Sequence, residues 1–234
     1  MGIHSGHRDR MKKQFLEQGA DGFSDHQLLE LLLFYCIPQG DVNPLAHELL
    51  LHFHSFSAIF DADFDELLKV KGIGTHAAIL FRLFPQIMRR YELSRMDCEA
   101  IITDGTEAGN YLLPYFFGAR NEVSYLLCLD AKGKVLGCDQ LSEGSLNMTV
   151  MSNRSAVECA LRHRASCVFL AHNHTSGLAK PSAEDVSATV QLYRIMDAMG
   201  IELIDHLVIV DGDFVSLRDS GAQPWGDRAA FDYL

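Results

Sequence analysis

Apolar residues in the first part of the chain recur at three- and four-residue intervals. Between Asp41 and Phe53, the residues Leu45, Leu49, Leu50 and Phe53 fall on one side of a helix. Another helix is expected over Gln27–Phe34, with Ser24 or Asp25 available to cap its first turn. Phe64 to Leu68 and Thr75 to Leu80 read as two more, joined through Val70-Lys71-Gly72-Ile73-Gly74 as a helical hairpin. Residues 14–90 thus predict an all-helical region. Residues 91–101 are polar and mixed, and are the best place for a linker.

Beyond residue 101 the pattern alternates. A helix is expected over Thr106–Phe116. Strands are expected over Val123–Leu129 and Val135–Leu141, joined by a turn at Asp130-Ala131-Lys132-Gly133. Ser155–Arg164 reads as a helix. Cys167–Ala171 is wholly apolar and of strand length, as a strand buried on both faces would be. Ser182–Met199 reads as a helix closed by Gly200, and Ile201–Val210 and Phe214–Leu217 as strands around Asp211-Gly212. Helices alternating with strands argue for a sheet covered by helices. The expected class is α+β, with a helical domain at 1–95 and a sheet domain at 101–225.

Composition fits this picture. The chain has 234 residues, 48% of them hydrophobic and 22% charged, which is globular rather than disordered composition. The longest apolar run, Leu28–Ile37, is interrupted by Glu30 and is too short to span a bilayer, so no membrane contact is expected. Met1 to His7 lacks the charge and apolar segments of a secretory signal, which predicts a cytoplasmic protein. None of the six cysteines forms a CxxC pair. They read as small buried hydrophobes rather than a zinc site or a disulfide framework. The net charge is −11, and neither part of the chain carries the basic excess that binds phosphate backbones without sequence preference.

The stretch that carries chemistry is Val168-Phe169-Leu170-Ala171-His172-Asn173-His174, continuing through Thr175-Ser176-Gly177 to Pro181-Ser182-Ala183-Glu184-Asp185. Residues i and i+2 of an extended backbone face the same side, so both imidazoles can point at one atom. Asp185 follows in the first turn of the next helix. Two histidines and a carboxylate suit Zn²⁺ and leave a fourth position for water. A simpler reading also fits these residues. Ser182-x-x-Asp185 is a capping-box pattern, and an acid in the first turn favours any helix N-terminus.

His172-x-His174, then Ser182 and Asp185, resembles the JAMM (MPN+) metallohydrolase motif. The wider text is more similar to the RadC family, through His172-Asn173-His174-Thr175-Ser176-Gly177, Pro181-Ser182 and Leu203-Ile204-Asp205-His206-Leu207-Val208-Ile209. The resemblance extends to Gly6-His7-Arg8 and Leu28 to Tyr35, and so covers nearly the whole chain. It implies a helix-hairpin-helix-like N-terminal domain and a C-terminal α/β/α domain related to cytidine deaminases. It also implies a zinc-dependent protease or isopeptidase. The chain departs from the family at Thr175, where relatives have proline, and at Ser155, where many have glutamate.

The resemblance further implies an upstream glutamate as general base, for which Glu122 fits and Glu143 is the alternative. Ser182 would donate to the oxyanion, unless it serves only as the helix cap. His206 is either a core histidine or a support for the metal ligands. Gly72 and Gly74 could present backbone N–H groups to a phosphate, or simply form a helix turn. Two functions follow: hydrolysis of a peptide or protein substrate, or DNA contact through the helical domain in a repair-associated protein whose metal domain is structural or vestigial. The sequence names no particular substrate.

Overall fold

In a computed structural model, the described residues are 6–97, 99–144, 148–175, 180–210, 212–221 and 224–225. The chain divides into two compact units, Met1–Met88 and Arg89–Leu234.

The first unit is helical. Its elements are α1 (His7–Gln18), α2 (Asp25–Cys36), α3 (Asn43–Phe53), α4 (Phe56–Asp61), α5 (Phe64–Lys69) and the start of α6 (Thr75–Arg95). Ser24 and Gln27 close a capping box at the start of α2, so serine rather than Asp25 is the cap. Leu29, Leu33, Leu49, Ile59, Leu67 and Phe81 form the centre of the core. Glu30 is buried among them. It is satisfied by His7 Nε2 at 2.8 Å and by Asn43 Nδ2, which donates at 3.1 Å. The Arg8 guanidinium stacks 4.7 Å from the Phe34 ring. The two N-terminal segments that carried the family resemblance therefore pack on each other. The helix α1 itself begins earlier than the apolar spacing indicated, because its face is anchored by these polar and stacking contacts.

Gly72 and Gly74 lie in the turn between α5 and α6, as expected. Gly72 has φ +105°, a conformation that side chains rarely adopt. Lys69, the basic residue nearest this turn on α5, is paired with Glu66. The linker expected from residue 91 starts later, since Tyr91–Arg95 complete α6. Their mixed polarity reflects an exposed helix end rather than a break in the helix.

The second unit is a five-stranded sheet with helices on both faces. Its elements are α7 (Gly105–Phe116), β1 (Val123–Leu129), β2 (Val135–Glu143), α8 (Met148–His163), β3 (Cys167–Asn173), α9 (Ala183–Ala198), β4 (Glu202–Val210) and β5 (Asp213–Ser216). The strand order is β2-β1-β3-β4-β5, with only β3 and β4 parallel. Alternation along the central strands sorts their side chains onto two faces. Leu127, Phe169 and Leu207 meet Ala108 and Leu112 of α7 on one face. Leu126, Val168 and Val208 meet Ala156 of α8 and Leu192 and Met196 of α9 on the other. The all-apolar stretch Cys167–Ala171 is the centre of the sheet, and both of its faces are covered. This is the α/β/α sandwich that the family resemblance implied.

Asp205 of β4 is buried where the strand meets the end of β5. Its carboxylate accepts from Ser216 Oγ at 2.5 Å and from the backbone N–H groups of His206 at 2.7 Å and Arg218 at 3.1 Å. Burial is the largest influence and outweighs these donors, pushing its pKa up to about 6. A pKa raised on folding contributes stability that is present below the unfolded value of about 3.9 and is lost as pH rises through about 6. Asn at this position keeps an acceptor for both N–H groups and cannot ionise. The Asp205→Asn variant is therefore expected to gain about 2–3 kcal/mol relative to the parent between pH 4 and pH 7. Urea unfolding at the two pH values measures this, and parallel pH dependence in the two proteins would refute it.

Candidate metal centre

The strand β3 carries His172 into the site and ends at Asn173, with His174 one residue beyond. Ser182 caps α9, and a complete capping box places Asp185 in the first turn. Strand parity and the helix start thus deliver three side chains to one point. His172 Nε2 lies 2.9 Å from His174 Nε2. Asp185 Oδ1 is 3.2 Å from His172 Nε2, and its Oδ2 is 3.2 Å from His174 Nε2. His172 is buried, while His174 and Asp185 are half-buried.

Ser182 holds the carboxylate in place. Its backbone N–H and its hydroxyl donate to Asp185 Oδ2 at 2.7 and 2.6 Å, and its Oγ accepts from the Asp185 N–H at 3.0 Å.

The protonation of the buried histidines follows from a single hydroxyl. Thr189 Oγ1 donates to the carbonyl oxygen of Asp185 at 2.6 Å, and a carbonyl can only accept. The Thr189 proton is then committed, so at 2.5 Å it is His206 Nδ1–H that donates to Thr189 Oγ1. His206 Nε2 is left as an acceptor and takes the Nδ1–H of His172 at 2.7 Å. His206 is neutral in this scheme, in keeping with a pKa driven down chiefly by burial. The chain of bonds leaves the Nε2 lone pair of His172 aimed at His174 and Asp185.

These atoms fit a zinc ion. Ligand nitrogens and oxygens about 2.0–2.1 Å from a tetrahedral zinc lie about 3.3 Å from one another, so separations of 2.9, 3.2 and 3.2 Å need widen by only a few tenths of an ångström. Two imidazole nitrogens and a carboxylate oxygen this close to one another need a shared proton or a cation between them. His206 supplies the support for His172 that such sites require.

A cleft opens beside the site, lined by Ser124, Leu141, Asn153, Glu184, Asp185 and His206, among others. Ser124 is the register partner of His172 and so shares its face of the sheet. Neither Glu122 nor Glu143 lines this cleft. Glu122 is half-buried just before β1. Asn173 ties the backbone on both sides of it: its Oδ1 accepts from Val123 N–H at 2.7 Å, and its Nδ2 donates to the Asn121 carbonyl at 3.1 Å. Glu143 ends β2, accepting from Asn121 Nδ2 at 3.3 Å and from Gln140 Nε2 at 3.2 Å. Ser155 lies on α8, half-buried. Thr189, Asn173 and Glu184 were missed from the sequence. For Thr189 a signal existed, since it lies four residues after Asp185 and so on the same side of α9.

An α/β/α sandwich that presents two histidines and a carboxylate at the end of a central strand defines a protein of the metallohydrolase-like JAB class. Residues 102–222 match the RadC-like JAB domain, and residues 4–79 match the UPF0758 N-terminal family. A UPF0758 protein of Fusobacterium nucleatum is 30% identical over 228 residues, which is 93% of this chain and 97% of that one. A UPF0758 protein of Clostridium acetobutylicum is 32% identical over 214 residues, covering 91% and 93% of the two chains. The chain belongs to the RadC-like JAB domain family. No helix among the described residues is long and apolar enough to cross a membrane.

Proposed function

We propose that this protein is a zinc-dependent hydrolase of amide bonds in a peptide or protein, working in the cytoplasm. The observation that supports this most strongly is the convergence of His172, His174 and Asp185, with the His172 lone pair aimed inward by His206 and Thr189. Zinc held there by His172, His174 and Asp185 would supply an acidified water and polarise a carbonyl. Glu122 is proposed to take the proton from that water and pass it to the leaving nitrogen. Its support is Asn173, which binds the backbone on either side of Glu122 from between the two ligand histidines. Glu184 is the competing candidate, since it lines the cleft beside Asp185.

Ser182 donates its proton to Asp185 in this structure. Its proposed role at the oxyanion requires that proton to be released. A cation on Asp185 weakens the carboxylate as an acceptor and so favours the release. In the helical unit, the pairing of Lys69 with Glu66 leaves the nucleic-acid reading the weaker of the two.

The test is zinc content together with turnover of a panel of quenched peptides and isopeptides. Glu122→Gln should keep the metal and lose turnover by about 10²–10⁴-fold, the contribution of a positioned general base. Turnover retained in Glu122→Gln and lost in Glu184→Gln would move the base to α9. A purified chain that takes up no zinc at all would end the proposal.

A further inference from the structure

A second group of metal-ligating side chains lies away from the JAB site, between the edge strand β2 and α8. Asp139 of β2 faces Cys159 and His163, which are four residues apart and so one turn apart on α8. His163 Nε2 is 2.5 Å from Asp139 Oδ2, and Cys159 Sγ is 3.3 Å from the same oxygen. The three ligand atoms all lie within 4.8 Å of one another. We propose that Asp139, Cys159 and His163 form a second zinc site, which clamps the edge of the sheet to α8.

Three features support it. A thiolate, an imidazole and a carboxylate make a borderline-soft set that selects zinc over magnesium or calcium. In a tetrahedral zinc site the ligand atoms are about 3.3–3.8 Å apart, so the imidazole must retreat by about 1 Å while the thiol is already in place. Gly137 gives the ring its berth, because a Cβ there would come within 2.3 Å of His163 Cε1. The side chains of His163 and Asp139 remain partly open, at 22% and 36% exposure, so an ion can enter and solvent can fill the fourth position.

Cys128 lies behind Cys159, with the sulfurs 3.8 Å apart. Arg162 competes with a metal, since its guanidinium donates to Asp139 Oδ2 at 2.8 Å. Its side chain is 66% exposed and can swing into water when a cation arrives. The same helix α8 also carries Asn153 into the cleft of the JAB centre.

The experiment titrates the metal-free full chain with Co²⁺, a spectroscopic stand-in for zinc, and follows thiolate-to-cobalt charge-transfer absorption in the near ultraviolet. The JAB site has no thiolate, so this band reports the second site alone. The band should appear in the parent and survive in the His172→Ala/His174→Ala double variant. It should be lost in Cys159→Ser and persist in Cys128→Ser. Arg162→Ala should shift the titration several-fold toward lower cobalt. If Cys159→Ser does not fold, His163→Gln leaves every thiol in place and should weaken the band's half-saturation at least tenfold. A parent chain that shows no band would overturn the site. So would a band that survives Cys159→Ser, or one untouched by His163→Gln. Each would leave Asp139, Arg162 and His163 as an ion-pair network complete without metal.

Discussion

Replacing His172, His174 or Asp185 by alanine is expected to weaken zinc binding by about 10²–10³-fold. Zinc held by four ligands is bound with roughly 10–16 kcal/mol, so each ligand contributes about 2.5–4 kcal/mol, and 1.4 kcal/mol is tenfold in affinity. The loss should be largest for His172. It is buried, and its truncation also strands His206, whose Nε2 loses the Nδ1–H it accepts at 2.7 Å. Competition with a chromophoric chelator gives the affinities. The exposed His76 on α6 is the control, since His76→Ala removes an imidazole but no ligand. Ligand variants that bind zinc as tightly as His76→Ala would place the metal elsewhere. Asp185→Ala also removes the acceptor for the Ser182 hydroxyl and N–H. It should therefore destabilise the start of α9 even without metal, by about the 1 kcal/mol of a lost cap interaction.

What could be read in the sequence was whatever periodicity or motif spacing encodes locally. The strand limits Val123–Leu129 were legible because turn residues bound a largely apolar run on the C-terminal side. The placing of His172 and His174 on one side followed from the two-residue repeat of an extended chain, and their nitrogens do meet at 2.9 Å. Asp185 could be placed because Ser182-x-x-Asp185 marks a helix start whatever the tertiary structure. The start of α8 was not legible. Met148 to Arg154 mix two methionines with polar and β-branched residues and show no sustained stripe, so the spacing pointed only to Ser155 onward. Contacts between elements were equally hidden. Nothing local links Asp139 to His163, which are 24 residues apart, or Asn173 to Asn121, which are 52 apart. The choice of a proposed general base belongs to this hidden class. Glu122, Glu143 and Glu184 are all polar residues at element ends, and only the three-dimensional course of the loops separates them.

The same limit applies to Thr189, where the second large effect is expected. A threonine inside a helix ordinarily returns its hydroxyl proton to the carbonyl four residues back, and Thr189 does so with Asp185. Here that routine bond fixes the direction of every hydrogen bond beyond it. Valine has nearly the same shape and no hydroxyl. In Thr189→Val the Nδ1–H of His206 faces a methyl group in a fully buried position, at a cost of about 1–3 kcal/mol for an unsatisfied buried donor. The ring can escape by moving its proton to Nε2. That proton then opposes the Nδ1–H of His172, and His172 must shift its own proton onto Nε2, the atom that faces Asp185. Zinc affinity should fall by about 10–100-fold, the usual effect of losing support for a ligand. Thr189→Ser restores the hydroxyl and should recover most of both losses. Thermal unfolding without metal, set beside zinc affinity by chelator competition, separates the two effects. A Thr189→Val protein with unchanged zinc affinity would show that His172 does not take its tautomer from this chain of bonds, even if the stability loss is seen.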